Sequence, residues 1–162
     1  MHRIKVLIKK VEKKMALFIG EYRSKIDAKN RIVFPAAFKN ELFNHAEKRL
    51  VVQKDFYKKK LLIYTVDAWT VLVNGLKSKL NLQNEEHAEF WRTFMSKRAE
   101  VTPDEKSGRL IIPRRLLDEI DVTDEVVFMG MDDYIELCSP KEHESMVLTV
   151  DKYAAAAKKY FG

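Results

Sequence analysis

Two arginines hold the strongest chemical potential in this chain. The segment Asp27-Ala-Lys-Asn-Arg31-Ile-Val-Phe-Pro35-Ala-Ala-Phe38 returns as Glu105-Lys-Ser-Gly-Arg109-Leu-Ile-Ile-Pro113-Arg-Arg-Leu116. The offset is constant from Arg31 to Arg109, Pro35 to Pro113 and Phe38 to Leu116. A guanidinium is a planar fork. It can bond guanine O6 and N7 together, for roughly 1–3 kcal/mol of discrimination against a wrong base. Lysines nearby would supply phosphate contacts that set register. Arg23, Lys25 and Lys29 stand near the first arginine, and Lys106 stands near the second. Arg114 and Arg115 fall at a helix start, where positive charge opposes the helix dipole and hints at an anionic partner. The acid in each copy can also pair with its arginine and fix the turn. Both roles are compatible, because one ion pair leaves part of the fork free.

The elements that would position these arginines follow from periodicity. Phe18 to Ile26 alternates as a strand, with Arg23, Lys25 and Asp27 on one face. Lys29-Asn30 reads as a tight turn, since Asn tolerates left-handed dihedrals. Ile32 to Phe34 is a short apolar strand. Pro35 suits the first turn of a helix, on which Phe38 and Leu42 form an i, i+4 pair. In the second copy, residues 103–108 make the turn, Leu110 to Ile112 the strand, and Leu116 and Ile120 the helix pair. Two further β runs follow each copy: Leu50–Val52 and Leu61–Tyr64, then Val126–Met129 and Tyr134–Leu137. Each unit is thus expected to be a hairpin, a short helix and a second hairpin. Two such units suggest a pseudo-twofold domain, and a two-stranded ribbon is a shape that the DNA major groove admits.

Helices are expected between and after the copies. Trp69, Leu72, Val73, Leu76 and Leu80 form one apolar stripe. Ala88, Trp91, Phe94 and Met95 form another, with Asn84 as N-cap. Ser139-Pro140-Lys141-Glu142 is a capping box with Pro at N1. From there one long helix, with Met146, Val147, Val150, Tyr153, Ala154, Ala157 and Tyr160 along one side, is expected to cover the body or a neighbouring subunit.

At 162 residues, 46% hydrophobic and 33% charged, the chain can build a real core and is not disordered. The net charge is +6, but residues 1–14 hold most of it: Arg3, Lys5, Lys9, Lys10, Lys13 and Lys14 against Glu12. Any nucleic-acid surface must therefore be a local patch rather than a global field. A signal peptide is not expected in those first residues, because lysines interrupt the apolar stretch, and two readings stay open. One is a basic amphipathic helix through Ile4, Leu7, Ile8 and Val11. The other is a disordered or non-native tail ahead of a start at Met15. No apolar run is long enough to cross a bilayer. The single Cys138 fits a reducing compartment.

Catalytic and metal chemistry find little footing. Gly75-Leu-Lys77-Ser78 lacks the glycine-rich loop of a phosphate site. His45, His87 and His143 have no ligand-spaced partners. Cys138 reads as a buried thiol, and Asp132-Asp133 as an acidic turn. No enzyme activity, cofactor or metal is expected.

These residues resemble the MraZ family. The resemblance rests on Phe18-x-Gly20, on Ile26-Asp27-x-Lys29-Asn30-Arg31 with Pro35, and on Val101 through Pro113. The Phe90-Trp-Arg92 segment leading to Ala99-Glu100-Val101 adds to it, and the likeness spans residues 15–140. It implies an α+β fold: an AbrB-like double-split swapped-hairpin β-barrel built from two internal repeats, with helices between them and a long C-terminal helix. The implied layout is a basic extension at 1–14, repeats at 15–66 and 99–138, connecting helices at 67–98 and a C-terminal helix at 139–162. The likeness also implies a cytoplasmic, nucleoid-associated transcription regulator. Such a protein would bind short direct repeats of double-stranded DNA at the promoter of the division and cell-wall gene cluster, as a ring-like homo-oligomer away from membranes. The expected DNA-binding residues are Arg23, Lys25, Lys29, Arg31, Lys106 and Arg109, supported by Asp27, Asn30, Glu105 and Gly108. Asn30 replaces the family's usual Gly. In the second motif either Glu105 takes the acid register, or Asp104 does with one residue inserted. The alternative function is an antitoxin-like protein-interaction module, since the AbrB-type fold also serves there.

Overall fold

In the computed structural model, residues 16–162 are described. The expectations for residues 1–14 lie outside them. The elements run β1 (Glu21–Lys25), β2 (Arg31–Val33), α1 (Ala36–Phe43), β3 (Leu50–Lys54), β4 (Lys60–Thr65), α2 (Val66–Lys77), α3 (Glu85–Ser96) and β5 (Arg98–Val101). They continue β6 (Arg109–Ile111), α4 (Arg114–Glu119), β7 (Glu125–Gly130), β8 (Ile135–Cys138), α5 (Pro140–Met146) and α6 (Val150–Phe161). This is a mixed α+β protein whose described strands all pair antiparallel.

Six strands form a sheet in the order β1-β7-β8-β4-β3-β5, and β2 with β6 forms a separate ribbon. Exchanging the two copies turns this order into its own reverse. The sequence repeat is therefore a pseudo-twofold of the fold, with its axis between β8 and β4. The closed barrel that the resemblance implies is not found among the described residues, since the larger sheet ends at β1 on one side and β5 on the other.

The second hairpin of each unit forms as expected, β3 with β4 and β7 with β8. The first does not. β1 pairs with β7 and β2 with β6, and β1 and β2 form no ladder with each other, meeting at an Ile26–Ile32 bridge at the corner and through the Ser24 hydroxyl, which donates to Val33 O. Core formation supplies the reason. Pairing the short runs across the copies drives Ile32, Phe34, Leu110 and Ile112 into one shared core, where each is fully buried. Burying a large apolar side chain contributes about 1.5–3 kcal/mol, more than a three-residue strand could gain by pairing locally.

The helix pairs fall as expected. Phe38, Leu42, Leu116 and Ile120 are all buried. Pro35 and Pro113 are N-caps with extended backbone, one residue ahead of the helices they open. Phe38 packs edge-on against Phe18 and Tyr22, and Phe34 bridges Phe38 to Phe128 of the other copy. Gly130 allows this closure, because a Cβ there would lie 2.5 Å from the Phe18 carbonyl oxygen.

Asn84 accepts from the amides of Glu86 and His87, capping α3 as expected. Arg98 ties α2 and α3 to the sheet. Its guanidinium is buried over Phe94 and Trp69 and donates to Gln53 Oε1 at 2.7 Å. Cys138 is buried, and desolvation pushes its thiol up to about 11.

The C-terminal region departs from expectation. Ser139 caps α5 through the Glu142 amide, but the helix ends at Met146 and Val147 is extended. Thr149 then caps a second helix, its hydroxyl accepting from the Lys152 amide. The single long helix is broken because a threonine hydroxyl competes for backbone donors and starts a new helix. Among the described residues α6 fully buries none of its side chains, and only Ala156 and Ala157 are half-buried.

Candidate nucleic-acid interface

The β2–β6 ribbon decides where the arginines go. Arg31 lies opposite Ile111, and Val33 opposite Arg109. Strand alternation sends Ile32 and Leu110 inward. Arg31, Val33, Arg109 and Ile111 therefore share the outer face. The two arginines are diagonal neighbours across the ribbon, a relation that separates residues by about 7–8 Å. Motifs far apart in sequence thus become one bipartite cationic face, with the exposed side chains of Val33 and Ile111 between them.

The first turn is held by Asp27. Its Oδ1 accepts from the amides of Lys29 at 2.9 Å and Arg31 at 2.8 Å. Its Oδ2 accepts from Arg31 Nε at 2.7 Å. The backbone closes with Asp27 N donating to Arg31 O and Asn30 N donating to Asp27 O. Asn30 has φ of 64°, and its side-chain amide donates to Ile112 O of the other copy. With Nε engaged, the two terminal nitrogens of Arg31 remain available to a ligand.

The second turn repeats this frame with one residue more. Asp104 N donates to Arg109 O, and Gly108 N donates to Asp104 O. Gly108, at φ 68°, matches Asn30. Asp104 therefore takes the position of Asp27, and Glu105 falls inside the enlarged turn. Asp104 Oδ2 accepts from the Ser107 amide at 2.7 Å rather than from an arginine. Arg109 is exposed, and its guanidinium has no ion-pair partner among the described residues. The cross-copy contact is also mirrored, with Phe34 N donating to Gly108 O.

Both acids are held below their ordinary value of 3.8. The first cause for Asp27 is the Arg31 amide, and for Asp104 the Ser107 amide. A lowered folded value stabilises the turn above 3.8 and is lost as pH falls through that folded value. Carboxyl titration by NMR is expected to give midpoints below 3.8 for both. A midpoint at or above 3.8 for Asp27 would contradict this geometry.

The remaining candidates divide. Lys29 and Lys106 lie exposed within the two turns, beside the arginine face. Arg23 lies on the other face of β1 from Ser24, whose hydroxyl donates to Val33 O on β2. Arg23 instead approaches Glu125 at 3.8 Å and Glu144 of α5 at 3.9 Å. Lys25 shares that face by alternation. Arg114 and Arg115 do not wait for an anion. Arg114 donates to Asp118 and to Val122 O, and Arg115 to the carbonyls of Ser96 and Arg98. Sequence reasoning missed Lys39. Its Nζ donates to Glu105 O at 2.5 Å, placing a cation of the first copy on the turn of the second. Only the cross-copy pairing reveals it.

The described helices include none long and apolar enough to cross a membrane. A family model described as "MraZ protein, putative antitoxin-like" matches residues 94–159, which contain the second motif. The transcriptional regulator MraZ of Bacteroides thetaiotaomicron is 32% identical over 145 residues, covering 90% of this chain and 92% of that protein. Its counterpart in Phocaeicola vulgatus is 32% identical over 145 residues, covering 90% and 94%. That of Clostridium acetobutylicum is 34% identical over 143 residues, covering 88% and 96%.

Proposed function

The chain belongs to the MraZ family, and from that premise we propose that it is a transcription regulator that binds double-stranded DNA through the β2–β6 ribbon. The observation that carries this is the shared outer face of Arg31 and Arg109, bracketed by Lys29 and Lys106. The arginine forks read base edges, and the lysines fix register on phosphates. Arg23 and Lys25 act at most on phosphates beyond the ribbon, because they leave β1 on its other face. Arg31, pre-oriented by Asp27, contributes more than Arg109.

The functional unit is a homo-oligomer, ring-like in form. It binds repeated sites at the promoter of the division and cell-wall gene cluster, in a cytoplasmic, nucleoid-associated setting. One ribbon makes few contacts, and the net charge of +6 lies mostly outside the ribbon. Several linked ribbons gain roughly 10²–10⁴ in avidity without new contacts.

The test is a binding titration on the gene's own upstream DNA and on scrambled DNA at two salt concentrations. Affinity falls with salt for both, but the difference between them persists if bases are read. Equal collapse on both DNAs would leave only phosphate attraction and sink the proposal.

A further inference from the structure

Two surfaces of this chain have no partner among the described residues and match each other. The first is α6, where Val150 is 84% exposed, Tyr153 68%, Tyr160 71% and Phe161 92%. With Ala154 and Ala157 they make one apolar stripe, since each residue advances about 100° around a helix. The second is a groove of about 450 Å³ along α3, where Leu82, Ala88, Trp91 and Met95 are flanked by Glu85, Glu89 and Arg92. Exposed apolar stripes of this kind mark interfaces rather than ordinary surface.

Charge says what covers them. On α3, Glu85 and Arg92 are seven positions apart on one flank of the apolar strip, acid first. On α6, Asp151 and Lys158 have the same spacing on one flank of its stripe, also acid first. Laid antiparallel, face to face, the two charged flanks fall on the same side. Lys158 then meets Glu85 and Asp151 meets Arg92. Laid parallel, the flanks fall on opposite sides and no pair forms. None of these four residues has an ion-pair partner among the described residues. Both helices have 12 residues, about 18 Å at 1.5 Å per residue. Charges at helix ends also suit the dipoles, but the dipoles leave the exposed stripe between them unexplained.

We propose that α6 of one copy seats antiparallel in the α3 groove of a second copy. The contact joins unlike surfaces, so it propagates head to tail and closes a ring where the rotation permits. This rests on the homo-oligomer of the proposed function and names its interface.

The test is solution mass of the full chain by light scattering, without DNA, so its outcome is independent of the arginine ribbon. The wild type is expected as a multiple of the 19.0 kDa protomer. Glu85→Lys alone and Lys158→Glu alone each weaken assembly about tenfold through like-charge contact, and the two combined restore it. Met95→Cys with Val150→Cys gives disulfide-linked multimers on oxidation. A monomer at all concentrations would overturn the proposal. So would assembly indifferent to both reversals, a double variant that stays dissociated, or a crosslink confined within single chains. Loss of specific DNA binding in a chain that still assembles would count against the ribbon, not against this interface.

Discussion

Arg31→Ala is expected to abolish specific DNA binding while leaving fold and assembly intact. Asp27 engages only Nε of Arg31, leaving the terminal nitrogens of the fork for a base edge. Removing one bidentate arginine–guanine contact costs roughly 1–3 kcal/mol, about 5- to 150-fold per ribbon. When several linked ribbons engage, these losses compound. The turn should survive, because Asp27 Oδ1 still accepts from two backbone amides and Asn30 still donates across to Ile112. The lost ion pair is half-exposed, and solvent screening leaves such pairs little weight in stability. Arg109→Ala follows with a smaller loss, since no carboxylate orients that fork. Fluorescence anisotropy on specific and scrambled DNA, paired with thermal melting, checks this. A variant that melts early or dissociates would reassign Arg31 to structure. One that binds normally would remove it from the site.

Phe38→Ala is expected to be the most damaging single change to the fold, at about 3–5 kcal/mol. The total stability of a domain is only about 5–15 kcal/mol. Phe38 is buried to 1% exposure. Its ring meets Phe18, Tyr22 and Phe34 at centroid distances of 5.5, 5.2 and 6.0 Å. Phe34 carries the contact on to Phe128 of the other copy, so the cavity opens at the seam between the repeats. The pseudo-equivalent Leu116→Ala should cost less, about 2–5 kcal/mol, with no aromatic cluster to lose. Urea denaturation at constant m-value measures both. A loss under about 1 kcal/mol for Phe38→Ala would mean that the cluster does not hold the copies together.

The local rules were legible in the residues, and the pairings were not. Asn84 and Ser139 announced their helices, because a cap is chemistry between near neighbours. Phe38 with Leu42, and Leu116 with Ile120, announced buried helix faces for the same reason. Alternation says which face a strand residue takes, not which strand lies beside it. A hairpin joining β1 to β2 was therefore the economical expectation, and the actual pairing of β2 with β6 needed the shared core to select it. Arg115 looked available to an anion because its acceptors are backbone carbonyls, which carry no mark in sequence, and Arg114 divides its fork between one such carbonyl, of Val122, and the Asp118 carboxylate four residues on. Asp104 and Glu105 could not be told apart until the backbone bond to Arg109 fixed the turn size. The break at Thr149 lay hidden within an apolar stripe that reads as continuous helix. Lys39 was invisible because it belongs to neither motif and acts on the turn of the other copy.

On the proposed function, the arginine ribbon reads guanine in the major groove. Methylation interference on the upstream DNA tests it most directly, because N7 methylation blocks the atom that the arginine fork would use. Specific binding of the wild type is expected to fail when particular guanines carry N7-methyl groups, and that pattern should vanish in the residual binding of Arg31→Ala. Specific binding indifferent to N7 methylation at every guanine would rule out guanine readout by the ribbon.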